Sequence, residues 1–222
     1  MVPQPFDALS ASQWRVLRAR GWETALAPGE VLSRKGASRG SVLVVRKGLL
    51  RASAVSAEGK RFTFRLLHPG ETSGEASLVA DLPSLADISA VRPSAVLQLP
   101  RSACLSLLKD NPAFAEAMLR AVSGRLHDIA TGMERLALLD VRGRLADVLR
   151  HLVRAEGKVT PQGIAIPFDM PQTELSAMVA ATREAVNRQI RQWEVEGVLT
   201  RSGGALVLHR PDALRQAAMA SA

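Results

Sequence analysis

Between Asn111 and Leu139, apolar residues recur at alternating steps of four and three, and this spacing constrains the fold more than any other feature. It is the pattern of the a and d positions of a coiled coil, held for three heptads. Asn111 and Pro112 suit the start of a helix, because Pro lacks an N–H that would be unpaired there anyway. The helix would be roughly 40 Å long at about 1.5 Å per residue, which is too long to be hidden in one small domain. The repeat consists of Ala115, Leu119, Val122, Leu126, Ile129, Met133 and Leu136.

A narrow apolar stripe of this kind favours pairing with an identical helix. We therefore predict a central dimerisation helix over residues 111–139, with Leu119, Val122, Leu126, Ile129, Met133 and Leu136 at the dimer interface. The alternative is a long core helix that packs only on its own domain.

Composition limits the possible classes of protein. A chain of 222 residues suffices for one large or two small domains. The net charge of +8 favours an anionic partner such as nucleic acid, but the excess is not concentrated in the C-terminal region. Cys104 is the single cysteine, which excludes an intramolecular disulfide and a four-cysteine metal site. There is no signal-peptide pattern and no apolar run of membrane-spanning length, so we expect a soluble, cytoplasmic protein without a membrane partner.

Residues 1–110 have the pattern of short strands separated by glycine-containing turns. In the segment from Arg61 to Leu66 apolar and polar residues alternate, which would place Phe62, Phe64 and Leu66 on one face of a strand. Many short strands with regular turns predict a closed or rolled antiparallel β structure.

The segment from His68 to Leu78 is a candidate ligand site within this region. It contains two Gly-Glu pairs, Gly70-Glu71 and Gly74-Glu75. Backbone amides in such turns can hold a phosphate, and a carboxylate can accept a hydrogen bond from a ribose hydroxyl. An ordinary structural turn explains the pattern equally well.

Residues 140–222 predict a helix-turn-helix followed by a hairpin. Asp140 suits the cap of a helix that continues to Arg154. Gln172 to Val179 forms a short helix, Ala180 and Ala181 a tight turn, and Thr182 caps a second helix. Gly203-Gly204 then lies between two apolar runs, as in the β-hairpin wing that often accompanies this motif.

The second of these helices is predicted to have an apolar and a polar face. Val186, Ile190 and Trp193 pack inward, while a polar set faces outward. Arg can donate two hydrogen bonds to guanine, and Glu can accept one from cytosine, as base reading in a major groove requires. The alternative is a solvated charged face. The predicted DNA-binding residues are Gln172, Thr182, Arg183, Glu184, Asn187, Arg188 and Arg191.

The chain resembles the Crp–Fnr family of bacterial transcription regulators over nearly its whole length. The resemblance is carried by residues 28–32, by His68 to Glu71 with Gly74-Glu75, by residues 139–145, and by residues 172–198. It implies an α+β fold with a β-roll sensor domain like that of cyclic-nucleotide-binding proteins (1–110), a dimerisation helix (111–139) and a C-terminal winged helix-turn-helix (140–222). It further implies a homodimer that binds two-fold symmetric DNA and touches RNA polymerase, and that is not an enzyme.

Two features of the helix-turn-helix can be compared with the family, one in the second helix and one in the turn. Arg183, Glu184 and Arg188 match the base-reading positions of the cyclic-AMP receptor branch, which implies a half-site with a GTG-like core. Ala180 stands where many members have Gly. If this residue needs a positive φ, Ala costs roughly 1 kcal/mol there, and a slightly different turn would be the alternative.

The sensor departs from the cyclic-AMP pattern. Glu75 matches the ribose-binding glutamate, but the phosphate-binding Arg expected about ten residues later is missing from residues 83–86. Ile129 and Ala130 replace hydroxyl residues that would contact the purine. We therefore expect that cyclic AMP does not control this protein, and that it uses another effector or none. The effector-pocket candidates are Gly74, Glu75, Ala76, Ser77, Arg125, Ile129 and Ala130.

Two further interpretations concern individual residues of the sensor. Arg125 can hold an anion, although a surface ion pair is the preferred interpretation. His68 and Cys104 are the candidate haem ligands in the sensor, and His127 on the central helix is a further one. The alternative is that these residues have ordinary structural roles. No cofactor is expected. The alternative function is an effector-binding module that acts through a protein partner without binding DNA.

Overall fold

The computed structural model describes residues 5–38, 40–167 and 172–219. It has two compact units, of which the first ends at Ile129 and the second begins at Ala130. The division falls within the long helix, whereas the sequence predicted three parts with boundaries at 110 and 139.

Within its described residues, the first unit has eight strands, three complete α-helices and the greater part of a fourth, which continues past Ile129. Its strands are β1 (Trp22–Leu26), β2 (Val31–Ser33), β3 (Ser41–Lys47), β4 (Leu50–Val55), β5 (Arg61–Leu67), β6 (Thr72–Ser73), β7 (Asp87–Ala90) and β8 (Ser94–Pro100). Its helices are α1 (Ala11–Ala19), α2 (Glu75–Ala80), α3 (Arg101–Asp110) and the long α4 (Pro112–Leu138), and a short 3-10 helix spans Pro5–Ala8.

The strands form two antiparallel four-stranded sheets, in the orders β1-β8-β3-β6 and β2-β7-β4-β5. Strand β3 is buried on both faces. Val42 and Val44 pack with Phe114 and Met118 of α4, while Leu43 and Val45 belong to a second cluster that includes residues of both sheets. This arrangement is the antiparallel β-roll that the sequence predicted, and β3 lies at its centre.

The alternating pattern of β5 gives only part of the face that we predicted. Ala52 of β4 pairs with Arg65 and Ser53 pairs with Thr63, so Phe64 is the extra residue of a β-bulge. Thr63 and Leu66 are buried, Phe62 is half-buried and Phe64 is exposed. The prediction that Phe62, Phe64 and Leu66 share one face is confirmed for Phe62 and Phe64, whose ring centroids lie 5.0 Å apart, and was wrong for Leu66, which follows the bulge and is buried.

Helix α4 has two different apolar faces. Its start is capped by Asn111, whose side-chain oxygen accepts a hydrogen bond from the Phe114 N–H at 3.1 Å. Phe114, Met118 and Ala121 are buried on the first unit, so this face holds the helix against the roll. The heptad residues lie on another face and are described below.

After the end of α4, the described residues of the second unit form a four-stranded antiparallel sheet and four helices. Its elements are α5 (Val141–Glu156), β9 (Lys158–Thr160), β10 (Gly163–Pro167), α6 (Gln172–Val179), α7 (Arg183–Val195), β11 (Leu199–Ser202), β12 (Ala205–Leu208) and α8 (Pro211–Met219). Asp140 caps α5 by accepting a hydrogen bond from the Gly143 N–H at 2.8 Å, as its sequence position predicted. Gly143 is buried where α5 approaches α8, and an added Cβ would lie 3.1 Å from the Ala217 carbonyl oxygen.

Candidate nucleic-acid interface and sensor site

Helices α6 and α7 are joined by a tight turn centred on Ala180. This residue has φ +55°, a left-handed conformation that is unusual for a residue with a side chain. The Ala181 N–H donates to the Ser176 carbonyl at 3.1 Å, and the Thr182 hydroxyl accepts from the Ala185 N–H at 3.2 Å. The turn therefore keeps a positive φ although it carries Ala, and Thr182 caps α7 as predicted.

The two faces of α7 differ in the way that the sequence predicted. Val186, Ile190 and Trp193 are buried, and Trp193 is fully so. The opposite face bears a shallow groove lined by charged and amide residues and by one valine. This lining consists of Glu184, Asn187, Arg188, Arg191, Gln192 and Val195.

The base-reading candidates near the start of α7 are accessible. Arg183, Glu184 and Arg188 are exposed, together with Arg191, and Asn187 is half-buried beside them. The pKa of the Glu184 carboxyl is lowered by the backbone N–H of Glu184 itself and then by the Thr182 hydroxyl, so the side chain is an ionised acceptor at neutral pH. Gln172 begins α6, and its side chain lies outside the described part of the structure.

Helix α5 positions the helix pair through two arginines. Arg142 binds both carboxylate oxygens of Glu196, the C-cap residue of α7, and its guanidinium carbon lies 5.4 Å from the centre of the Trp193 ring. Arg144 donates to the carbonyl of Val179 at 2.9 Å and to that of Leu139 at 2.7 Å. Val179 ends α6, so Arg144 satisfies a helix-terminal carbonyl that has no partner within the helix.

The hairpin after α7 is the predicted wing. Strands β11 and β12 are joined by Gly203 and Gly204, and Ser202 pairs with Ala205 across the turn. Both glycines have positive φ, +55° and +76°, as a two-residue hairpin turn of this type requires.

In the first unit, Glu75 and Arg125 form a buried ion pair. Glu75 begins α2 and is only 5% exposed, and its Oε2 pairs with Arg125 Nη1. Arg125 Nη2 also donates to the Thr72 hydroxyl at 2.6 Å. Burial alone would raise the pKa of Glu75, but the Arg125 guanidinium and its hydrogen bond more than offset this and lower the pKa. Arg125 therefore pairs with a buried carboxylate, and the preferred interpretation of a surface ion pair was wrong.

A second guanidinium reaches the same place and was not foreseen. Arg65 of β5 donates from Nη2 to the Thr72 carbonyl oxygen at 2.8 Å. From the sequence, no role was assigned to Arg65.

The other effector-pocket candidates occupy different environments. Gly74 precedes α2 with φ +107°, Ala76 is exposed, and the buried Ser77 hydroxyl donates to the Leu82 carbonyl at 2.7 Å. Ile129 and Ala130 are exposed on α4. Residues 83–86, where the resemblance placed a phosphate anchor, contribute no cation, and the Ser84 N–H donates to the Ala37 carbonyl at 2.9 Å.

The heptad face of α4 is exposed in the single chain. Leu126 is 69% and Ile129 is 59% exposed, and every residue predicted for the dimer interface is exposed. An exposed apolar stripe of this length is unusual in a soluble monomer. These residues are Leu119, Val122, Leu126, Ile129, Met133 and Leu136.

The two sensor residues considered as haem ligands, His68 and Cys104, lie beside a carboxylate and among apolar side chains respectively. His68 lies 3.5 Å from Glu71, measured from Nδ1 to Oε2. Cys104 is fully buried among apolar side chains, and burial followed by the nearby Glu75 charge raises the pKa of its thiol to about 12.

Within the described ranges, no helix combines the length and the apolar character that crossing a membrane requires.

A winged helix-turn-helix with an exposed, arginine-rich second helix, preceded by a β-roll, defines a DNA-binding transcription regulator. Comparison with protein families agrees with this class. Residues 23–111 match the cyclic nucleotide-binding domain and residues 143–217 match the Crp-like helix-turn-helix domain. The chain belongs to the Crp–Fnr family of transcription regulators, and it is therefore not an enzyme.

Individual relatives match over most of their length. The anaerobic regulatory protein of Bacillus subtilis is 24% identical over 215 residues, which covers 96% of this chain and 90% of that protein. The cyclic AMP receptor protein of Thermus thermophilus is 28% identical over 178 residues, or 80% of this chain and 79% of that protein. The solved structure of the c-di-GMP responsive global regulator CLP from Xanthomonas campestris matches with a TM-score of 0.78 at 21% identity. It covers 90% of this chain and 99% of that one, and at this identity the likeness shows the fold alone.

Proposed function

We propose that this regulator binds two-fold symmetric DNA as a homodimer and reads bases with Arg183, Glu184 and Arg188. The observation that carries the proposal is the exposure of these three side chains on a helix whose other face is fully buried and whose start is capped. Arg is suited to guanine and an ionised Glu to cytosine, so the half-site contains a GTG-like core. Asn187 and Arg191, one and two turns after Arg183, extend the contact to a further base and to phosphate.

Dimerisation through α4 is part of this proposal. The exposed heptad residues support it, because a partner helix would remove their apolar surface from water. A dimer can present two recognition helices about 34 Å apart, which is one turn of DNA. Contact with RNA polymerase belongs to the same proposal and rests on membership of the family. A cytoplasmic location follows from a function on DNA.

We further propose that cyclic AMP does not control this regulator. Residues 83–86 supply no guanidinium for its phosphate, and Ile129 and Ala130 offer no hydroxyl to a purine. The relatives differ in the signals that their names mention, so the name of a relative does not identify the effector here. Calorimetry is expected to show no cyclic-AMP binding at micromolar concentration, and tight binding would contradict this part of the proposal.

The test of DNA reading compares Arg183→Ala with Arg191→Ala. Operators are first selected from random duplexes with the wild-type protein, and affinities are then measured by mobility shift at a fixed, stated salt concentration. Arg183→Ala should weaken specific binding by about 1–3 kcal/mol and relax the preference at one base pair. Arg191→Ala should weaken binding to all sequences similarly and lower the salt slope by about 1. An unchanged base preference in Arg183→Ala would rule out the assigned reading helix.

A further inference from the structure

The guanidinium of Arg144 joins the ends of two helices that are distant in the sequence. Its Nη1 donates to the Leu139 carbonyl, directly after the end of α4, at 2.7 Å, and its Nε donates to the Val179 carbonyl, at the end of α6, at 2.9 Å. Carbonyls at helix ends have no partner within their own helix and carry the negative end of the helix dipole. One cation therefore satisfies two helix ends, both of which lie in the second unit.

The position of Arg144 within its own helix indicates a role outside that helix. It lies in the first turns of α5, which begins at Val141, and its side chain is half-buried. A positive side chain is unfavourable there, because the N-terminal end of a helix carries the positive end of its dipole. The hydrogen bonds to the carbonyls of Leu139 and Val179 offset this cost, so they account for an arginine at this place.

The junction of α4 with α5 is held at a second point and is closely packed. Arg135 of α4 donates to the Asp147 carboxylate of α5. A Cβ added at Gly143 would lie only 3.1 Å from the Cβ of Leu139, so the two helices approach each other without space for a side chain. The direction in which α5 leaves α4 is therefore fixed by packing and by two arginine contacts.

The contact of Arg144 with Val179 lies next to the start of the recognition helix. Val179 precedes Ala180, the residue with φ +55° in the turn. Thr182 then caps α7, and the first residue of α7 is Arg183. Only residues 180–182 separate the anchored carbonyl from Arg183, so a displacement of that carbonyl would move the start of α7.

We propose that Arg144 is a positioning residue, which fixes the recognition helix relative to the end of α4 and thereby sets the spacing of the half-sites that the dimer binds. In a dimer paired through α4, the distance between the two copies of α7 depends on the α4–α5 junction and on the contact of α5 with α6. Arg144 takes part in both. It touches no base-reading side chain among its described hydrogen bonds, so it determines the spacing of half-sites and not the base preference within each one. The inference rests on the proposed binding of two-fold symmetric DNA by a homodimer.

The test measures mobility shifts of the full-length protein on duplexes that carry two copies of the selected half-site at spacings differing by one base pair. The wild-type protein should bind the neighbouring spacings about tenfold or more less tightly than the best one, because both recognition helices must meet successive major grooves. Arg144→Gln should lower this discrimination to about threefold or less and leave the base preference within a half-site unchanged. Arg154→Gln is the matched control, because it removes the same charge from an exposed position in the last turn of α5 and should discriminate like wild type.

Arg144→Lys separates positioning from charge. Lysine keeps the positive charge but lacks the planar fork that donates in two fixed directions, so its discrimination should lie between those of wild type and Arg144→Gln. This variant also covers the case that Arg144→Gln does not fold.

Two results would overturn this inference alone: wild-type discrimination between spacings in Arg144→Gln, or equal losses in Arg144→Gln and Arg154→Gln. A wild-type protein that prefers no sequence would overturn the proposed function, and this inference with it.

Discussion

Arg142 and Glu196 form a two-bond ion pair that joins the first turn of α5 to the end of α7. The two N–O distances are 2.8 and 3.2 Å, and the guanidinium also lies against the fully buried Trp193 ring. Paired hydrogen bonds of this kind fix direction as well as distance. Helix α7 is thereby held at its C-terminal end by a residue of α5, while Arg183 and Glu184 at its N-terminal end are exposed.

Replacing Arg142 by Ala is expected to destabilise the second unit by about 1–2 kcal/mol. The estimate is modest because both side chains are roughly one-third exposed, at 37% and 31%, and solvent screens the pair. Urea unfolding of the full-length protein measures the loss. Arg154→Ala removes an exposed arginine from the last turn of the same helix and serves as the control. Equal stabilities of the two variants would show that the Glu196 pair does not hold α7.

A glutamate at position 126 is expected to dissociate the proposed dimer. Leu126 is in the middle of the heptad face, so in a parallel pair of helices Leu126→Glu would place two like charges against each other in an apolar interface. Sedimentation velocity should show a monomer with undisturbed helix content by circular dichroism. Glu134→Lys changes a charge on the exposed side of the same helix, outside the heptad face, and should leave the dimer intact. A dimer that survives Leu126→Glu would have to use another surface.

Ala180→Gly is expected to stabilise the helix-turn-helix. Ala180 has φ +55°, a conformation that costs a residue with a Cβ about 1–2 kcal/mol. Glycine removes this cost but adds freedom to the unfolded chain, so the expected net gain is about 0.5–1 kcal/mol in the free energy of unfolding. Ala181→Gly, one residue later and not at positive φ, should give no gain. A loss of stability in Ala180→Gly would show that the methyl group packs usefully in the turn.

The second unit was predictable because its signals are local. Thr182 caps α7, the spacing of Val186, Ile190 and Trp193 fixes its buried face, and Gly197 follows its end. The heptad face of α4 was predictable for the same reason, since helical periodicity alone decides which residues share a stripe. The exposure of Arg183, Glu184 and Arg188 follows directly from the buried face.

The sensor was less predictable because its geometry depends on pairing between distant segments. The bulge at Phe64 is set by the register of β5 with β4, and the sequence of β5 alone does not predict it. Helix α2 has six residues, too few for a periodic signal, so the sequence predicts a ligand site or an ordinary turn in this segment and not a helix. Arg65 and Arg125 are 60 positions apart in the sequence and meet only because strand β5 and helix α4 both approach Thr72.

Because Glu75 is paired with Arg125, we expect that removing Arg125 reverses the sign of the contribution of Glu75 to the pH dependence of the free energy of unfolding. In the wild type, the pKa of Glu75 is lowered from its ordinary value of 4.5, so its contribution to stability is complete above pH 4.5 and is lost as the pH falls further. In Arg125→Gln the carboxylate stays buried and loses the cation that pairs with it, and only the hydrogen bonds from Thr72 and from its own backbone N–H still favour the charged form. Burial then dominates and raises the pKa above 4.5, so the folded state gains a proton that the unfolded state lacks.

Arg125→Gln is therefore expected to lose about 3 kcal/mol at pH 7, and to recover part of this loss as the pH falls from 7 towards 5. Urea unfolding across that range measures the slope for each protein. The control is the double variant Glu75→Gln/Arg125→Gln, which has no carboxylate to titrate at this position and should not recover stability on acidification. If the single and double variants show the same pH slope, Glu75 remains ionised without Arg125, and the buried pair does not determine its charge.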